Sequence, residues 1–217
     1  MYATNYHRAS SVDEAVGLAS EDAKYLAGGQ TLIPTMKQRL AAPTDLIDLR
    51  HVASMQGIKV EGDTVRIGAA VTHAEVASSA DVKGVCGAVC YLASHIGDPH
   101  VRHMGTIGGS IANNDPAADY PAALLALKAD IITNKRRIGA DEFFAGMFET
   151  ALDEGELVTA VEFSAPAKAG YEKFRNPASR YALTGVFVAK LKDGSVRVAV
   201  TGAGSDGVFR EIGRAHV

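Results

Sequence analysis

Two short stretches of the chain combine consecutive glycines with hydroxyl residues. They are Ala27-Gly28-Gly29-Gln30-Thr31-Leu32-Ile33-Pro34 and Gly105-Thr106-Ile107-Gly108-Gly109-Ser110. Glycine lets backbone N–H groups come close to a ligand and adopts positive φ without a steric penalty. A run of such groups in a concave turn, or at a helix start, suits an anion. Two runs suggest a ligand with two phosphates, and neither carries an acidic residue across its turn. Either run alone also reads as ordinary loop punctuation. The remaining candidates are weaker. His95, His100 and His103 flank Asp98 and have the residue types of a metal site, but their spacing in an irregular loop specifies none. Asp115 and Asp119 have the types needed for acid–base work, yet Asp115-Pro116 reads better as turn geometry. No catalytic residue and no metal ligand is assigned.

The elements that must position the glycine runs can be read from capping and periodicity. Ser11-Val12-Asp13-Glu14 is a capping box ahead of an apolar helical pattern. A short strand at Lys24-Tyr25-Leu26-Ala27 leads straight into the first run, a helix follows over 31–40, and Asp45 to Leu49 forms a second strand. Thr64 to Gly68 alternates as a strand, Thr72-His73-Ala74-Glu75 opens a helix ending near Ser79, and a further helix covers 82–94. The segment 95–120, which holds the second run, reads as a long functional coil. A helix over 121–127, a strand at 131–133 and an alternating strand at 156–163 follow. Beyond Pro166 the chain is polar and basic to Arg180, then gives two strands joined by an Asp193-Gly194 hairpin turn.

Composition narrows the function classes. The 217 residues are 47% apolar and 22% charged, with a formal net charge of −3, which argues against a nucleic-acid surface or a polybasic membrane surface. The 22 glycines favour turns and strands over a helical bundle. The first eleven residues lack the apolar core of a signal peptide, and no stretch of roughly 18 apolar residues marks a transmembrane span. The only cysteines, Cys86 and Cys90, are spaced to share a helix face as small hydrophobes. They are too few for an iron–sulfur cluster of four cysteine ligands, and a cytoplasmic site is the default. The chain is read as free of a G-x-G-x-x-G fingerprint, which argues against a Rossmann-type fold. It contains no Gly-Lys dipeptide, which excludes a P-loop.

The second run continues as Ile111-Ala112-Asn113-Asn114-Asp115-Pro116-Ala117-Ala118-Asp119-Tyr120-Pro121. The pairing of AGGQTLIP with GTIGGSIANNDPAADYP resembles the FAD-binding (medium) subunit of the molybdenum hydroxylases, the family of xanthine dehydrogenase and aerobic carbon monoxide dehydrogenase. The stretch from Tyr171 to Leu183 resembles a third segment of that subunit, and the likeness covers residues 1–210. The resemblance implies an α+β protein with a PCMH-type FAD-binding fold. Two small α/β subdomains, at 1–55 and 56–165, clamp FAD, and a C-terminal α+β domain begins at 166–210 and is cut short. Residues 211–217 read as an artefactual tail.

The resemblance also implies the site. The backbone of Ala27, Gly28, Gly29, Gln30 and Thr31 and that of Thr106, Ile107, Gly108, Gly109 and Ser110 would hold the pyrophosphate, with hydroxyl bonds from Thr31 and Thr106. Asp119 would accept from ribityl or ribose hydroxyls, Ile96 would make an apolar contact, and Leu157 and Lys173 would lie near the flavin. A cation there would stabilise the charge that a flavin gains on reduction, with Lys173, Arg175 and Arg102 as candidates. The implied function is electron transfer. Electrons would pass from a molybdenum cofactor on a large subunit, through [2Fe–2S] clusters on a small subunit, to FAD and then to a quinone or NAD. The implied assembly is a dimer of heterotrimers, cytoplasmic or peripheral at the inner membrane through its partners. Relatives with an extra four-cysteine insertion are disfavoured by the cysteine count. A self-contained FAD-dependent oxidoreductase and a non-catalytic nucleotide-binding assembly module remain as alternatives.

Overall fold

A computed structural model describes residues 1–211. The tail read at 211–217 lies, from residue 212 onward, outside the described residues. The first unit contains β1 (Asn5–Arg8), α1 (Val12–Gly17), β2 (Ala23–Leu26), α2 (Leu32–Lys37) and β3 (Asp45–Asp48). Its three strands are parallel in the order β1-β3-β2. The central strand β3 buries Leu46, Ile47 and Asp48 in sequence, as expected of a strand covered on both faces. Ser11 caps α1 by accepting the N–H of Glu14 at 3.1 Å, while the Glu14 carboxylate reaches back to Ser10. Strand β1 has no period-2 signal in the sequence, because its four polar residues show no buried face. Helix α2 is shorter than its apolar pattern suggests, and Arg39 just beyond it takes φ +62°.

The second unit is built on an antiparallel sheet ordered β4-β5-β10-β6-β7. These strands are β4 (Ile58–Glu61), β5 (Thr64–Gly68), β6 (Asp130–Thr133), β7 (Arg137–Gly139) and, at the centre, β10 (Val158–Ser164). Between β5 and β6 run α3 (His73–Ser78), α4 (Ala80–Ser94), α5 (Pro99–Met104), α6 (Ile107–Asn113) and α7 (Tyr120–Ala126). The helix α8 (Ala140–Phe143) and the hairpin of β8 (Phe144–Gly146) and β9 (Glu149–Thr150) precede β10. The capping box at Thr72 is complete in both directions, with Thr72 Oγ1 accepting from Glu75 N–H and Glu75 accepting from Thr72 N–H. Cys86 and Cys90 are buried free thiols, but α4 is interrupted at Cys86 (φ −151°), so the two do not sit on one regular helix.

The segment 95–120 is not a coil. Asp98 caps α5 ahead of Pro99, and Thr106 caps α6 by accepting from Gly109 N–H at 3.1 Å. Both helices are shorter than two full turns and α6 begins Ile-Gly-Gly, so neither shows a readable apolar period. Proline just inside the start and a capping hydroxyl are the signals that could have located them.

The last elements are β11 (Lys168–Arg175), β12 (Ala182–Lys190), β13 (Val196–Thr201) and β14 (Phe209–Glu211), an antiparallel sheet in that order. β11 occupies part of the stretch read only as polar and basic. Its buried side is Ala169, Tyr171 and Lys173, alternating with exposed Lys168, Glu172 and Phe174. The turn 202–207 does carry the spacing G-x-G-x-x-G, as Gly202-Ala203-Gly204-Ser205-Asp206-Gly207, which corrects the reading that no such run exists. It joins two antiparallel strands, with Gly202 at φ +82° and Gly207 at φ +110°. The helix that a Rossmann fingerprint requires does not follow it.

Helix α7 is buried along its whole length and packs on β12, β13 and β14 on one side and on α4, α6 and α8 elsewhere. One continuous core therefore runs from the first unit to the last sheet. A small satellite of Leu26, Met36 and Leu46 lies under α2.

Candidate functional site

The two glycine runs meet. A Cβ on Gly28 would lie 2.0 Å from the Met104 carbonyl oxygen, and one on Gly109 would lie 3.3 Å from the Ala27 Cβ. A Cβ on Gly108 would lie 2.5 Å from that of Ala69. At Gly28 and Gly108, glycine therefore serves the close approach of protein to protein. Gly29 has a different need, its φ of +71°.

The runs also differ as donors. Among the described residues, the backbone N–H groups of Gly28, Gly29, Gln30 and Thr31 donate to no protein acceptor. In the second run most N–H groups are engaged: Ile107 with Val71 O, Gly108 with Ala69 O, Gly109 with Thr106 Oγ1, and Ser110 with Thr106 O, while among the described residues that of Thr106 meets no protein acceptor. Because Thr106 Oγ1 already accepts, its own proton is free to be donated.

Both runs line one cavity of about 800 Å³. Ile96, Asp119, Leu157 and Lys173 line it too, so every residue that the resemblance assigns to the cofactor faces this cavity except Ile107, whereas His95, His100 and His103 do not line it. Ile107 is 1% exposed and packs in the core beneath the loop. Leu157 is strapped in place by Asn134, whose side chain accepts the Leu157 N–H at 2.9 Å and whose N–H donates to Leu157 O. Arg102 fixes the Ile96 segment, donating to Ile96 O and Gly97 O at 3.1 Å each. That is a structural bracket, and neither Arg102 nor Arg175 lines the cavity, whereas Arg180, Tyr181 and Tyr25 do. Arg180 and Tyr181 belong to the β11–β12 loop, and only the tertiary packing of that loop brings them to the rim. Among the described residues no group of three His, Cys, Asp or Glu side chains is placed to hold a metal ion.

The charged wall of the cavity is a buried cluster. The Lys173 ammonium lies 2.9 Å from Asp119 Oδ1 and also donates to His95 O at 3.1 Å. Tyr171 donates its hydroxyl to Asp119 Oδ1. Burial raises the Asp119 carboxyl above its ordinary value even with Lys173 beside it, and burial likewise pushes the Tyr171 phenol up. A carboxylate has about four acceptor positions, so Asp119 keeps capacity for a hydroxyl from the cavity. Lys173 is thus a paired cation, which the sequence did not reveal. Glu156, which also lines the cavity, is held down to about 2 by the Arg136 guanidinium, 3.0 Å away.

His73, at the start of α3, also lines the cavity and was not singled out from the sequence. It is 4% exposed, and its Nδ1 has no hydrogen-bond partner. Burial, with the Arg102 charge adding to it, pushes its pKa from 6.5 down to about 4. The unfolded chain therefore takes up the proton first as pH falls, and the folded state loses stability from pH 6.5 down through about 4. At roughly 1.4 kcal/mol per pKa unit this amounts to up to about 3 kcal/mol. The expected result is a denaturant midpoint that drops between pH 7 and pH 4.5 in the wild type, with a visibly smaller drop in His73→Phe. Equal drops in both would contradict it.

The donor set can be tested against a flavin nucleotide. A pyrophosphate needs unengaged N–H and O–H donors, sugar hydroxyls need acceptors, and the rings need apolar walls. The Gly28–Thr31 backbone, Asp119, and the Ile96 and Leu157 side chains supply these in one cavity, and the residues fit.

Comparison with known proteins agrees with that test. Residues 2–166 match the family model described as the FAD binding domain in molybdopterin dehydrogenase. The chain is 37% identical to the carbon monoxide dehydrogenase medium chain of Hydrogenophaga pseudoflava, over 98% of this chain and 79% of that one. It is 37% identical to the nicotine 6-hydroxylase medium subunit of Paenarthrobacter nicotinovorans, over 93% and 75% of the two chains. A solved structure of carbon monoxide dehydrogenase from Hydrogenophaga pseudoflava superposes with a TM-score of 0.90 at 36% identity, covering 96% of this chain and 77% of that one. With two thirds or more of the chain matched by the family model and by these relatives, this protein belongs to the family of FAD-binding domains of molybdopterin dehydrogenases, as an oxidoreductase flavoprotein of the medium-subunit type.

Proposed function

We propose that this chain is the electron-transfer subunit of a molybdenum hydroxylase. It takes electrons from [2Fe–2S] clusters of a small partner subunit, which are fed by a molybdenum cofactor on a large one, and passes them to an external acceptor such as a quinone or NAD. The carrying observation is the single cavity in which both glycine runs converge with Asp119, Lys173, Ile96 and Leu157. Names such as medium chain and medium subunit among its relatives support the partner assignment. No helix among the described residues is long and apolar enough to cross a membrane, and the reading places the complex, a dimer of heterotrimers, in the cytoplasm.

In this reading the subdomains at 1–55 and 56–165 grip the cofactor between them. The free N–H groups of Gly28 to Thr31 and the hydroxyls of Thr31, Thr106 and Ser110 hold the pyrophosphate, while Gly108 and Gly109 let the second loop come close and Ile107 anchors it from below. Asp119 accepts from a sugar hydroxyl, Ile96 and Leu157 cover the rings and exclude water, and Lys173 keeps positive charge in the wall. Bound FAD supplies the electron-storing chemistry, and the protein supplies orientation and electrostatics. No side chain here is required to act as a general acid or base.

The test has two stages. The chain is first titrated with FAD, with stoichiometric binding expected. The loaded chain is then mixed with large and small subunits supplied with their substrate, and the visible flavin band is expected to bleach. Failure to bind FAD, or a band that persists beside a competent partner complex, would end this reading.

A further inference from the structure

The Asp119–Lys173 pair faces the cavity, but the third member of the cluster does not. Tyr171 is 4% exposed, lies behind the pair and does not line the cavity. Its ring packs beside Phe187, with centroids 6.1 Å apart, and a phenylalanine would satisfy that packing. The hydroxyl nevertheless has a built place. Gly185 pairs with Lys173 across β11 and β12, and a Cβ on Gly185 would lie 2.5 Å from the Tyr171 oxygen. The missing side chain at Gly185 is the slot through which the phenol reaches Asp119. Elsewhere the protein tolerates a buried phenol without a partner, since the Tyr120 hydroxyl has none. At position 171 the hydroxyl is aimed at a charge.

We propose that Tyr171 is a positioning residue for the cofactor pocket: by donating to Asp119 it sets how much of the Lys173 charge the pocket presents to bound FAD. The proposal rests on the reading of this cavity as a flavin site. The Asp119 carboxylate is shared between two donors, with Tyr171 on Oδ1 and Lys173 at 2.9 Å from Oδ1 and 3.0 Å from Oδ2. A hydrogen bond to a carboxylate disperses its negative charge. The more the phenol takes, the less of the ammonium charge is neutralised, and the more positive the wall. Lys173 has three donors, of which Asp119 and His95 O engage two, leaving one for the cavity. FAD gains negative charge when reduced, so a more positive wall holds the reduced cofactor more tightly than the oxidised one.

The test uses the full 217-residue chain and two readouts, the affinity for oxidised FAD and the midpoint potential of the bound cofactor. Tyr171→Phe is expected to leave the oxidised affinity within about threefold while weakening the hold on reduced FAD about tenfold, a fall of about 30 mV for a two-electron couple. Gly185→Ala, which displaces the hydroxyl without removing it, is expected to move the potential in the same direction. A fluorotyrosine at 171, whose hydroxyl is a stronger donor in the same shape, is expected to raise it, and it carries the test alone if the phenylalanine variant does not fold. In an Asp119→Asn background Tyr171→Phe is expected to have no further effect, whereas a packing role would give the same shift in both backgrounds. A ratio of reduced to oxidised affinity unchanged within twofold, or a shift that persists without the Asp119 charge, would overturn the proposal and leave the flavin assignment standing. A wild-type chain that binds no FAD would remove both.

Discussion

Gly28→Ala is expected to cost the chain at least about a hundredfold in FAD affinity. The backbone at Gly28 does not take a positive φ, so alanine meets no conformational objection there. The objection is spatial. Its Cβ would lie 2.0 Å from Met104 O, 2.6 Å from Met104 C and 2.7 Å from Gly105 Cα, all backbone atoms at the junction between α5 and the second run. No rotamer change relieves that contact, so the two loops must part. Their parting pulls the unengaged N–H groups of 28–31 away from the hydroxyls of Thr106 and Ser110 across the cavity. Overpacking of a tight contact costs about 1–3 kcal/mol of stability, and a hundredfold in affinity corresponds to about 2.7 kcal/mol. Two comparisons isolate the cause. Gly84→Ala, on α4 with nothing within 4 Å of the new Cβ, is expected to be neutral or to stabilise by about 0.5–1 kcal/mol. Gly109→Ala meets only the Thr106 Oγ1 at 3.0 Å and the Ala27 Cβ at 3.3 Å, and should fall between. Fluorescence titration of FAD reads all three, and wild-type affinity in Gly28→Ala would refute the loop-contact account.

Lys173→Met is the second large effect expected. Its side chain is 3% exposed and that of Asp119 is 5% exposed, so removing the ammonium strands a buried carboxylate. Breaking a buried pair from one side costs about 3–5 kcal/mol, a large share of the roughly 5–15 kcal/mol that keeps a domain folded. The pH dependence gives the signature. In the variant the largest opposition to the burial that raises Asp119 is gone and the Tyr171 hydrogen bond remains, so its folded pKa stands further above the unfolded value. A carboxyl raised on folding contributes stability below its unfolded pKa and loses it as pH rises through the folded value. The stability deficit of Lys173→Met relative to the wild type should therefore shrink as pH is lowered from 7 towards 5, since the Asp119 contribution is larger in the variant and the His73 contribution is common to both. Replacing both partners, as in Lys173→Met with Asp119→Leu, should recover much of the loss, since an apolar pair carries no desolvation cost. Chemical denaturation across pH measures this directly. A deficit relative to the wild type that does not change with pH would mean that the Asp119 charge is relieved some other way.

The two glycine runs, the capping hydroxyls and the alternating strands are local features, and they could be read from the sequence for local reasons. Thr72 with Glu75, or the alternation through Val158 to Ser164, is decided by residues a few positions apart. Elements with no readable local period were not legible. β1 is polar on both faces, α5 and α6 are too short to show a helical stripe, and the glycines at 108 and 109 read as coil while serving as the start of a helix. The sequence run at 202–207 errs in the opposite sense, since its glycine spacing is that of a nucleotide loop and its context is a strand-to-strand turn.

The sequence supplied candidates for the site: the two glycine runs by residue type and spacing, and Asp119, Ile96, Leu157 and Lys173 through the family resemblance that those runs carry. Where each stands and what it bonds to was decided by tertiary structure. Packing of the second run on the 69–71 segment and its own helix cap engaged the amides of residues 107–110, while those of the first run stayed free. The register of β11 on β12 put Lys173 opposite Gly185, opening the slot for Tyr171 and turning an apparent free cation into the buried partner of Asp119. Hydrogen-bond engagement and burial depend on atoms that are distant in the chain. The Tyr171–Asp119 contact spans 52 residues, and no local pattern in the sequence encodes it.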